Sequence, residues 1–497
     1  MDLPKTLDRR TFIKHSATCL AGSALLPSLF QGCSRTAAAK PPNLLIVFPD
    51  QMRVQAQGFM QADPVLTPVI DRFAQESLVF THAVSNYPVC SPFRAMLMTG
   101  KYPHNNGVLA NCNTNGAEFG YELREEEICW SDILDQKGYS LGYIGKWHLD
   151  SPYRPYVECY NNREDFAWNE WCSPSRRHGF AFWHAYGTYD QHMNPMYWDT
   201  AALRDGAQWV DQWGPEHEAD QAIRYLRNQD GTLRDPDKPF ALIVSMNPPH
   251  MPYDQFPETY LGGYADKRLE ELCNRPNIPP AGTRWGDYYR LHIRNYLAMT
   301  TGVDEQFGRI LAELKVSGLE DNTVVLFTSD HGNCLGIHDQ ISKNNHYEES
   351  MRIPFMLRWP GQIRPRQDEL LFSSPDIYPS LLELLGFAES IPQDVEGRSF
   401  ADLILNDRGD RPTSQPYFWV PYGQPAWGRR GVRTHRHTLM LNRVPDNPDE
   451  VVLHDNQIDP FQLKNIAESS ADIVSQLLKQ ELIPWLEKTN DPWLENL

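Results

Sequence analysis

The chain has 497 residues, which exceeds the roughly 250–300 at which single hydrophobic cores stop growing, so we expect two domains. Its net charge of −18 argues against nucleic acid and anionic membranes as partners, because both repel an acidic surface. Beyond residue 40, no apolar run reaches the length of about 18 residues that a membrane-spanning helix needs.

Residues 1–40 have the pattern of an export signal rather than of a folded segment. Arg9 and Arg10 form a twin-arginine pair, and a modestly apolar run follows them. This pattern predicts folding inside the cell, export by the twin-arginine (Tat) machinery and a periplasmic or cell-surface location. Cleavage near residues 37–39 and lipid attachment at Cys33 are the two alternatives for the mature N-terminus.

Four short runs of branched apolar residues have the composition of buried strands. They are residues 43–48, 139–144, 240–245 and 323–328. Their hydrophobicity is continuous rather than alternating, which is typical of parallel strands covered by helices on both faces. Amphipathic helical stripes lie between the runs, including one that ends at Gly318. The alternation predicts an α/β fold with a large, mostly parallel sheet flanked by helices.

Cys90 stands at the start of a short helical pattern. Pro92 suits the first turn of a helix, and Gly100 suits its C-terminal end. Cys90 is therefore predicted at a helix N-terminus, where free N–H groups and the helix dipole favour negative charge. Arg94 would lie one turn further along the same face. By residue type alone, Cys90 could be a thiolate nucleophile, a metal ligand or a buried structural cysteine.

Chemically active side chains follow each of the four predicted strands. In chain order they are Asp50 and Gln51, Lys146 and His148, His250, and Asp330 and His331. Ligands of open parallel sheets bind outside the carboxyl ends of the strands. We therefore expect these side chains to converge at one edge of the sheet.

The side chains predicted at this edge divide into two sets. Asp50, Gln51 and Asp330 supply oxygen ligands, with His331 as a nitrogen ligand, a set that suits Ca²⁺, or less well Mg²⁺, rather than zinc. The second set supplies positive charge and proton donors that could neutralise an anionic ester and its leaving group. Its members are Lys146, His148, His250 and Lys343.

Each of these residues also has an ordinary structural explanation. Asp50 could cap a strand end, His148 could be a surface histidine, and Lys343 could be a solvated charge. What favours a functional site is that all of them are predicted at the same sheet edge.

The run from Cys90 through Pro92 and Arg94 to Thr99-Gly100 resembles the signature of the type I sulfatases, with Phe93 where the family usually has a small serine. In that family a formylglycine-generating (sulfatase-maturing) enzyme oxidises the cysteine to Cα-formylglycine, whose hydrate is the nucleophile. Other family signposts follow in order at residues 145–148, 249–250, 329–332, 343, 352–354 and 359–361. The resemblance covers about residues 43–486 and implies an alkaline-phosphatase-like fold.

Transferred to matching positions, the resemblance implies a role for each residue of the site. Asp50, Gln51, Asp330 and His331 would bind Ca²⁺ together with the modified Cys90; many members have a second aspartate at the position of Gln51. The sulfate would be bound by Lys146 and Lys343, with Arg94 polarising the nucleophile. His250 would protonate the leaving oxygen, and His148 would accept the proton that releases sulfate.

The chain is predicted to have two folded domains after the leader. Residues 41–410 form the catalytic α/β domain, and a stretch rich in Pro, Gly and Asp precedes the second domain. Residues 411–497 are expected to form a smaller α+β domain, an antiparallel sheet with a closing amphipathic helix that includes Ile473 and Trp485.

The substrate is predicted from the leader and from an aromatic insertion at residues 153–213. An exported sulfatase-like chain is expected to act on a sulfated polysaccharide, whose rings could stack on aromatic side chains. Basic residues of the insertion could hold a carboxylate or second sulfate; they include Arg176, Arg177, His178 and His184. The alternatives are a phosphonate or phosphate-ester hydrolase of the same superfamily and a non-catalytic surface glycan-binding lipoprotein.

Overall fold

The computed structural model describes residues 40–496. The twin-arginine pair, Cys33 and the rest of residues 1–39 lie outside the described residues, so export and lipid attachment stay predictions. None of the helices in the described part combines the length and apolar character needed to cross a membrane.

A ten-stranded sheet forms the centre of the larger part of the structure. Its strands are β1 Asn43–Pro49, β2 Leu78–Phe80, β3 Ser140–Lys146, β4 Phe182–Tyr186, β5 Met196–Asp199, β6 Gln208–Trp209, β7 Phe240–Met246, β8 Thr323–Thr328, β9 Phe355–Arg358 and β10 Arg366–Asp368. They lie in the order β10-β2-β9-β8-β1-β7-β3-β4-β5-β6, and the five consecutive strands from β8 to β4 are all parallel. The four predicted strands are β1, β3, β7 and β8 of this parallel centre.

The register of the central strands brings their carboxyl ends to one level. Pro49 of β1 pairs with Met246 of β7, and Gly145 of β3 pairs with the preceding Ser245. On the other side of β1, Val47 pairs with Phe327 of β8. The residues that follow β1, β3 and β8 therefore leave the sheet side by side, as the sequence predicts.

Helices cover both faces of this sheet and connect its strands. They are α1 Pro68–Gln75, α2 Cys90–Thr99, α3 Pro103–Asn106, α4 Thr114–Ala117, α5 Trp130–Gln136, α6 Gly214–Arg227, α7 Leu269–Leu272, α8 Arg284–Val316, α9 Glu348–Met351, α10 Ile377–Leu384 and α11 Ala401–Asn406. Two hydrophobic clusters lie on opposite sides of the sheet, because alternate residues of each central strand point to opposite faces. The predicted stripe that ends at Gly318 is the last part of α8, which begins much earlier, at Arg284.

A second sheet of four antiparallel strands follows, in the order β11-β12-β13-β14. The strands are β11 Ser414–Trp419, β12 Gly428–Thr434, β13 His437–Arg443 and β14 Glu450–Asp455. The predicted closing helix consists of α12 Ala471–Leu477 and α13 Ile483–Lys488, joined by a π-helical turn at Leu478–Leu482. The α/β class with a smaller antiparallel sheet is thus confirmed, whereas the boundary near residue 410 stays a prediction.

Helix α2 packs between the two sheets, and all ten of its residues are buried. Phe93 and Leu97 belong to the cluster on one side of the ten-stranded sheet. Met96 belongs to a cluster formed with the four-stranded sheet, including Phe418 and Leu439. The position of the Cys90 helix therefore depends on both sheets.

A buried ion pair connects the four-stranded sheet to α9, the helix that precedes β9 of the larger sheet. Arg433 of β12 donates from Nε and NH2 to the two carboxylate oxygens of Glu348 in α9, at 2.6 and 3.0 Å. Arg352 adds a third contact to Glu348 at 3.1 Å. Burial alone would raise the pKa of Glu348, but Arg433 and Arg352 lower it to about 2.

Replacing Arg433 is expected to destabilise the fold, because Glu348 would lose its bidentate partner inside the protein. We expect Arg433→Met to lower the free energy of unfolding by about 3 kcal/mol in urea titrations, since Arg352 still partly balances the carboxylate. Arg436→Ala is the matched control; Arg436 is half-exposed, and its pair with Asp455 is expected to contribute less than about 1 kcal/mol.

The pH dependence of this difference provides a second test. The folded-state pKa of Glu348 lies below its unfolded value of 4.5, so the stabilisation is complete above that pH and is lost as the pH falls toward 2. The gap between wild type and Arg433→Met should therefore narrow below about pH 4.5. An equal loss in the free energy of unfolding for Arg433→Met and Arg436→Ala would contradict a special role for the buried ion pair.

Candidate active site

The loop after β1 brings Asp50 and Gln51 to the carboxyl edge of the sheet. Both side chains are buried. Gln51 has a positive φ of 67°, and its N–H donates to Asp330 Oδ1 at 3.0 Å. Tyr296 of α8 donates to the Gln51 carbonyl at 3.0 Å. The loop is thus fixed by β8 and α8, which compensates for the uncommon backbone conformation.

Cys90 is the first residue of α2, and Gly100 follows its end with a φ of 66°, as the sequence predicts. The thiol is buried among charged groups from four separate segments. Its Sγ lies 3.1 Å from Lys343 Nζ, 3.4 Å from His331 Nε2, 3.7 Å from Asp50 Oδ1 and 3.8 Å from Lys146 Nζ.

The charges around Cys90 favour a negatively charged group at this position. Burial and Asp50 raise the pKa of the Cys90 thiol, but Lys146, Lys343 and His331 outweigh them and hold it well below its usual range. In the unmodified chain these surroundings favour the thiolate over the thiol. A purely structural cysteine would gain nothing from this environment.

Asp50 is the centre of the charge network. Its Oδ2 lies 2.7 Å from Lys146 Nζ and 3.2 Å from Arg94 NH2. Its Oδ1 lies 3.5 Å from His331 Nε2 and 3.8 Å from Lys343 Nζ. Burial acts to raise the pKa of Asp50, but Lys146 and Lys343 hold it well below its usual range.

Asp330 experiences the opposite shift. Burial and the neighbouring Asp50 raise its pKa to about 7, so the protein's cations do not fully balance two carboxylates at this position. A bound cation would relieve that repulsion.

The acceptor atoms of Asp50, Cys90, Asp330 and His331 lie within 4.8 Å of one another. His331 Nδ1 lies 3.0 Å from the Gly332 carbonyl, an interaction that places the proton on Nδ1 and leaves the Nε2 lone pair facing Asp50 and Asp330 at 3.5 Å. Such a set of facing acceptors fits a divalent cation bound mainly by oxygen.

Gln51 borders this acceptor set. Its Nε2 donates to Ser342 Oγ at 2.7 Å, and its Oε1 accepts from Lys343 Nζ at 3.4 Å. The amide oxygen thus faces the lysine of the site, and metal ligation by Gln51 stays a prediction.

Arg94 joins the two carboxylates to the sheet. Its NH2 group lies 3.2 Å from Asp50 Oδ2 and 3.4 Å from Asp330 Oδ2. Its NH1 group donates to the Lys146 carbonyl at 2.6 Å and to Ser245 Oγ at 2.8 Å. Within residues 40–496 it makes no hydrogen bond to Cys90, so the contacts show it positioning the carboxylates rather than touching the sulfur.

Lys146 is the last residue of β3, and His148 lies two residues after it. Lys146 Nζ donates to Asn247 Oδ1 at 3.1 Å in addition to its pair with Asp50. His148 is buried; its Nε2 lies 3.2 Å from the Cys112 carbonyl, and its Nδ1 has no hydrogen-bond partner in the described chain. Burial lowers the pKa of His148, which favours the neutral imidazole that a proton acceptor needs.

His250 follows β7 and remains partly accessible. Its Nδ1 lies 2.7 Å from the Met251 carbonyl and 3.5 Å from Asp190 Oδ1. Burial acts to raise the pKa of Asp190, but His250 holds it well below the usual range. Asp190 is thus an ionised partner that orients His250 and leaves its Nε2 free for a ligand.

Three partners of the site were not among the predicted site residues: Asp190, Asn247 and Ser245. Asn247 stands in the Asn-Pro-Pro-His segment after β7, so its position was a usable signal. Ser245 lies within β7 itself, and nothing in its local sequence distinguishes it from other strand residues. Asp190 comes from the insertion, and only the tertiary fold brings it to His250.

The four basic residues proposed as anion holders have partners within the insertion or beside it. Arg176 binds Asp150, Arg177 binds the Thr200 carbonyl, His178 binds Asp132 and His184 binds Asp199. Each of the four side chains is thus already paired within the described chain. Among the aromatic residues of the insertion, Trp168 contacts a predicted catalytic residue, with a ring centroid 6.3 Å from that of His148.

The fold and site together define a class of protein. A mostly parallel sheet with a buried cysteine, a carboxylate–histidine cluster and two lysines at its carboxyl edge is the arrangement of an alkaline-phosphatase-like ester hydrolase.

Comparisons with known proteins identify the family. The family model described as Sulfatase matches residues 42–387, and the model described as N-sulphoglucosamine sulphohydrolase, C-terminal, matches residues 336–488. The chain therefore belongs to the sulfatase family, and it is an enzyme of that class.

Individual relatives cover nearly the whole chain. The endo-4-O-sulfatase of Bacteroides thetaiotaomicron is 39% identical over 93% of this chain and 96% of its own length. The ulvan-active sulfatase of Formosa agariphila is 33% identical over 86% of this chain and 77% of its own. The solved structure of yidJ from Bacteroides fragilis, itself assigned to the sulfatases, is 49% identical, with a TM-score of 0.88 over 92% of this chain and 97% of that one.

Direct metal titration would test the acceptor cluster. We expect calcium to bind the wild-type protein in calorimetry, and Asp330→Asn to weaken binding by roughly 100-fold or more, because it removes a charged ligand. Asp132→Asn is a matched control, since Cys129, Asp132 and His178 form a second group of potential ligands away from Cys90. A larger loss for Asp132→Asn than for Asp330→Asn would place the metal at the other cluster.

Proposed function

We propose that the chain hydrolyses sulfate esters of glycans with a hydrated formylglycine at position 90 and a bound Ca²⁺. One observation carries the proposal. Cys90 Sγ lies within 3.1–3.8 Å of two lysines, a histidine and a carboxylate that come from separate segments of the chain and meet at the carboxyl edge of the sheet. This arrangement supplies ligands for a cation on one side of position 90 and cationic groups for a sulfate beside it.

Asp50, Asp330 and His331, with the modified side chain at position 90 and the amide oxygen of Gln51, would hold the metal. Their buried, oxygen-rich set fits Ca²⁺ better than Mg²⁺, which prefers to keep several waters. When bound, the metal supplies positive charge to the sulfate oxygens and to the group at position 90.

Formylglycine at position 90 would supply the nucleophilic hydroxyl of an aldehyde hydrate. The surroundings of Cys90 fit such a group, because Lys343 and Lys146 lie within hydrogen-bonding range of its sulfur. Phe93, the departure from the family motif, is fully buried in the core and packs on Phe48 with ring centroids 6.4 Å apart. The fold thus accommodates this side chain away from the reacting group.

The remaining residues have roles that follow from their contacts. Lys146 and Lys343 neutralise the sulfate oxygens, because both ammonium groups already face the position of the Cys90 sulfur. His250 protonates the leaving oxygen from Nε2, since its Nδ1 is occupied by Met251 and Asp190. His148, which is buried and kept neutral, accepts the proton when sulfate leaves.

The glycan substrate is supported by the relatives. One similar protein is named an endo-4-O-sulfatase and another an ulvan-active sulfatase. A solved structure from a Bacteroides thetaiotaomicron locus for the metabolism of multiple glycosaminoglycans is 38% identical, with a TM-score of 0.85. The partly accessible His250 is consistent with a large leaving group.

The proposal includes the route to the working enzyme. The Arg9-Arg10 pair supports export by the Tat machinery to the periplasm or cell surface, with Cys33 as a candidate lipid anchor. The folded protein buries Cys90, so a sulfatase-maturing enzyme would have to modify this residue before folding is complete. Because the Tat machinery exports folded proteins, that modification would take place inside the cell.

The modification has a direct test. Mass spectrometry of the peptide that contains Cys90, from protein made with a competent maturing enzyme, should show the aldehyde in place of the thiol. Cys90→Ala should abolish sulfate release, whereas Cys273→Ala, at a half-buried cysteine outside the site, should retain it. An unmodified Cys90 thiol in fully active enzyme would refute the formylglycine mechanism.

The role of His250 can be tested with two leaving groups. His250→Ala should lower kcat for a sulfated sugar by about 10²–10⁴-fold, because an alkoxide must be protonated as it leaves. The loss should be much smaller for 4-nitrophenyl sulfate, whose stable phenolate leaves without a proton. Equal losses on both substrates would argue against His250 as the general acid.

The same assay separates the sulfatase from its superfamily alternative. Wild-type enzyme should turn over 4-nitrophenyl sulfate faster than bis(4-nitrophenyl) phosphate. Faster turnover of the phosphate diester would favour the phosphate-ester hydrolase, and sugar binding without any turnover would favour the non-catalytic glycan-binding protein.

A further inference from the structure

A cavity of about 420 Å³ lies in the insertion, beside the proposed catalytic residues. Its lining consists of Tyr160, Asn161, Arg163, Asp165, Phe166 and Trp168. Its volume is within the roughly 300–1,000 Å³ that is typical of small-molecule sites. The cavity is separate from the charge cluster around Cys90, whose functions do not account for it.

Two lining residues connect the cavity to the reacting groups. The Trp168 ring centroid is 6.3 Å from that of His148. Asn161 exchanges two hydrogen bonds with Asp190, at 2.8 and 2.9 Å, and Asp190 lies 3.5 Å from His250. The cavity is therefore linked to both proposed proton-transfer residues, to His148 by the Trp168 ring and to His250 by Asn161 and Asp190.

Two side chains hold the turn that carries Trp168: Thr114, whose Oγ1 accepts from the Ala167 N–H at 2.8 Å, and Asn162. Asn162 Oδ1 accepts from the N–H groups of Trp168 and Asn169 at 2.8 and 2.9 Å. Its Nδ2 donates to the carbonyls of Val157 and Asn169 at 2.9 and 2.8 Å. All four polar interactions of the amide are used, so the aromatic ring is presented in a fixed position before a ligand binds.

Arg163 provides the charge at the cavity. Arg163 is exposed at the tip of the turn, where its backbone N–H donates to the Phe166 carbonyl at 2.8 Å. Within the described chain its guanidinium has no ion pair or hydrogen bond, unlike those of Arg176 and Arg204 on the same insertion. A guanidinium binds carboxylate and sulfate groups in a bidentate manner, so Arg163 is available for an anionic group of a ligand.

We propose that this cavity is a subsite for the sugar next to the sulfated one. Trp168 stacks on a sugar ring, and Arg163 binds an anionic substituent of that sugar, either a carboxylate or a second sulfate. The inference rests on the proposed function, because the subsite is defined by its position beside the proposed catalytic residues His148 and His250. It makes the substrate a glycan with anionic groups on neighbouring sugars.

Binding measurements on a variant that cannot turn over the ligand would test the subsite. The Cys90→Ala protein would be titrated by calorimetry with three disaccharides: a sulfated one with a uronic acid, its carboxyl-reduced form, and one with a sulfate on each neutral sugar. On this background we expect Arg163→Gln to weaken binding of the uronic acid ligand by about tenfold or more, and that of its carboxyl-reduced form by less than about twofold.

The third disaccharide distinguishes the two anions. A tenfold loss with the disulfated ligand as well would assign Arg163 to anions in general, whereas a loss confined to the uronic acid would assign it to carboxylate. Trp168→Ala is expected to weaken all three ligands by about fivefold, because ring stacking does not depend on the charge. Arg408→Gln, at an exposed arginine outside the insertion, is the matched control.

Unchanged affinities for both Arg163→Gln and Trp168→Ala, relative to Arg408→Gln, would overturn the proposal; so would failure of all three disaccharides to bind. Turnover of 4-nitrophenyl sulfate by the matured enzyme tests the proposed reaction separately. If Arg163→Gln and Trp168→Ala weaken binding of the disaccharides but the matured enzyme does not turn over 4-nitrophenyl sulfate, the subsite is supported and the proposed reaction is rejected. The active enzyme should show the same preference. Arg163→Gln should lower kcat/KM for the uronic acid disaccharide about tenfold relative to kcat/KM for 4-nitrophenyl sulfate.

Discussion

The buried carboxylate of Asp50 is the constraint on which the rest of the site depends. An isolated charge at this depth would be costly, and contacts at 2.7–3.8 Å to Lys146, Arg94 and Lys343 balance it. These partners come from β3, α2 and the segment after β8, so charge balance requires the sheet register, the helix and the loops to be correct together. The same balance leaves Asp330 short of positive charge, which is why the cluster fits a metal ion.

The Cys90 helix shows how packing serves this electrostatic arrangement. An exposed helix could shift to relax its contacts, but α2 has every residue buried between two sheets. Its N-terminus is therefore held against the carboxyl edge of the strands, and Arg94 is fixed between Asp50 and Asp330. The four-stranded sheet thus contributes to the active site without supplying any of the predicted catalytic residues.

The insertion has two separate roles that its composition did not distinguish. Most of its basic side chains bind carboxylates or carbonyls nearby and so stabilise an irregular segment with few strands. Asp190 and the turn at Trp168 instead reach the catalytic groups. Local sequence cannot separate these roles, because an arginine that holds a loop and one that awaits a ligand have the same neighbours along the chain.

The amino-acid sequence by itself determined four of the five strands of the parallel centre, the start of the Cys90 helix and the convergence of the residues after β1, β3, β7 and β8. These features follow from local rules: continuous apolar runs, proline and glycine at helix ends, and the common edge of parallel strands. Only the tertiary structure decided that Arg94 contacts the carboxylates, that Asp190 orients His250, and that Trp168 lies beside His148 whereas Arg176 binds Asp150. Those outcomes depend on contacts between segments far apart in sequence, whose distances are set by the packing of the whole fold.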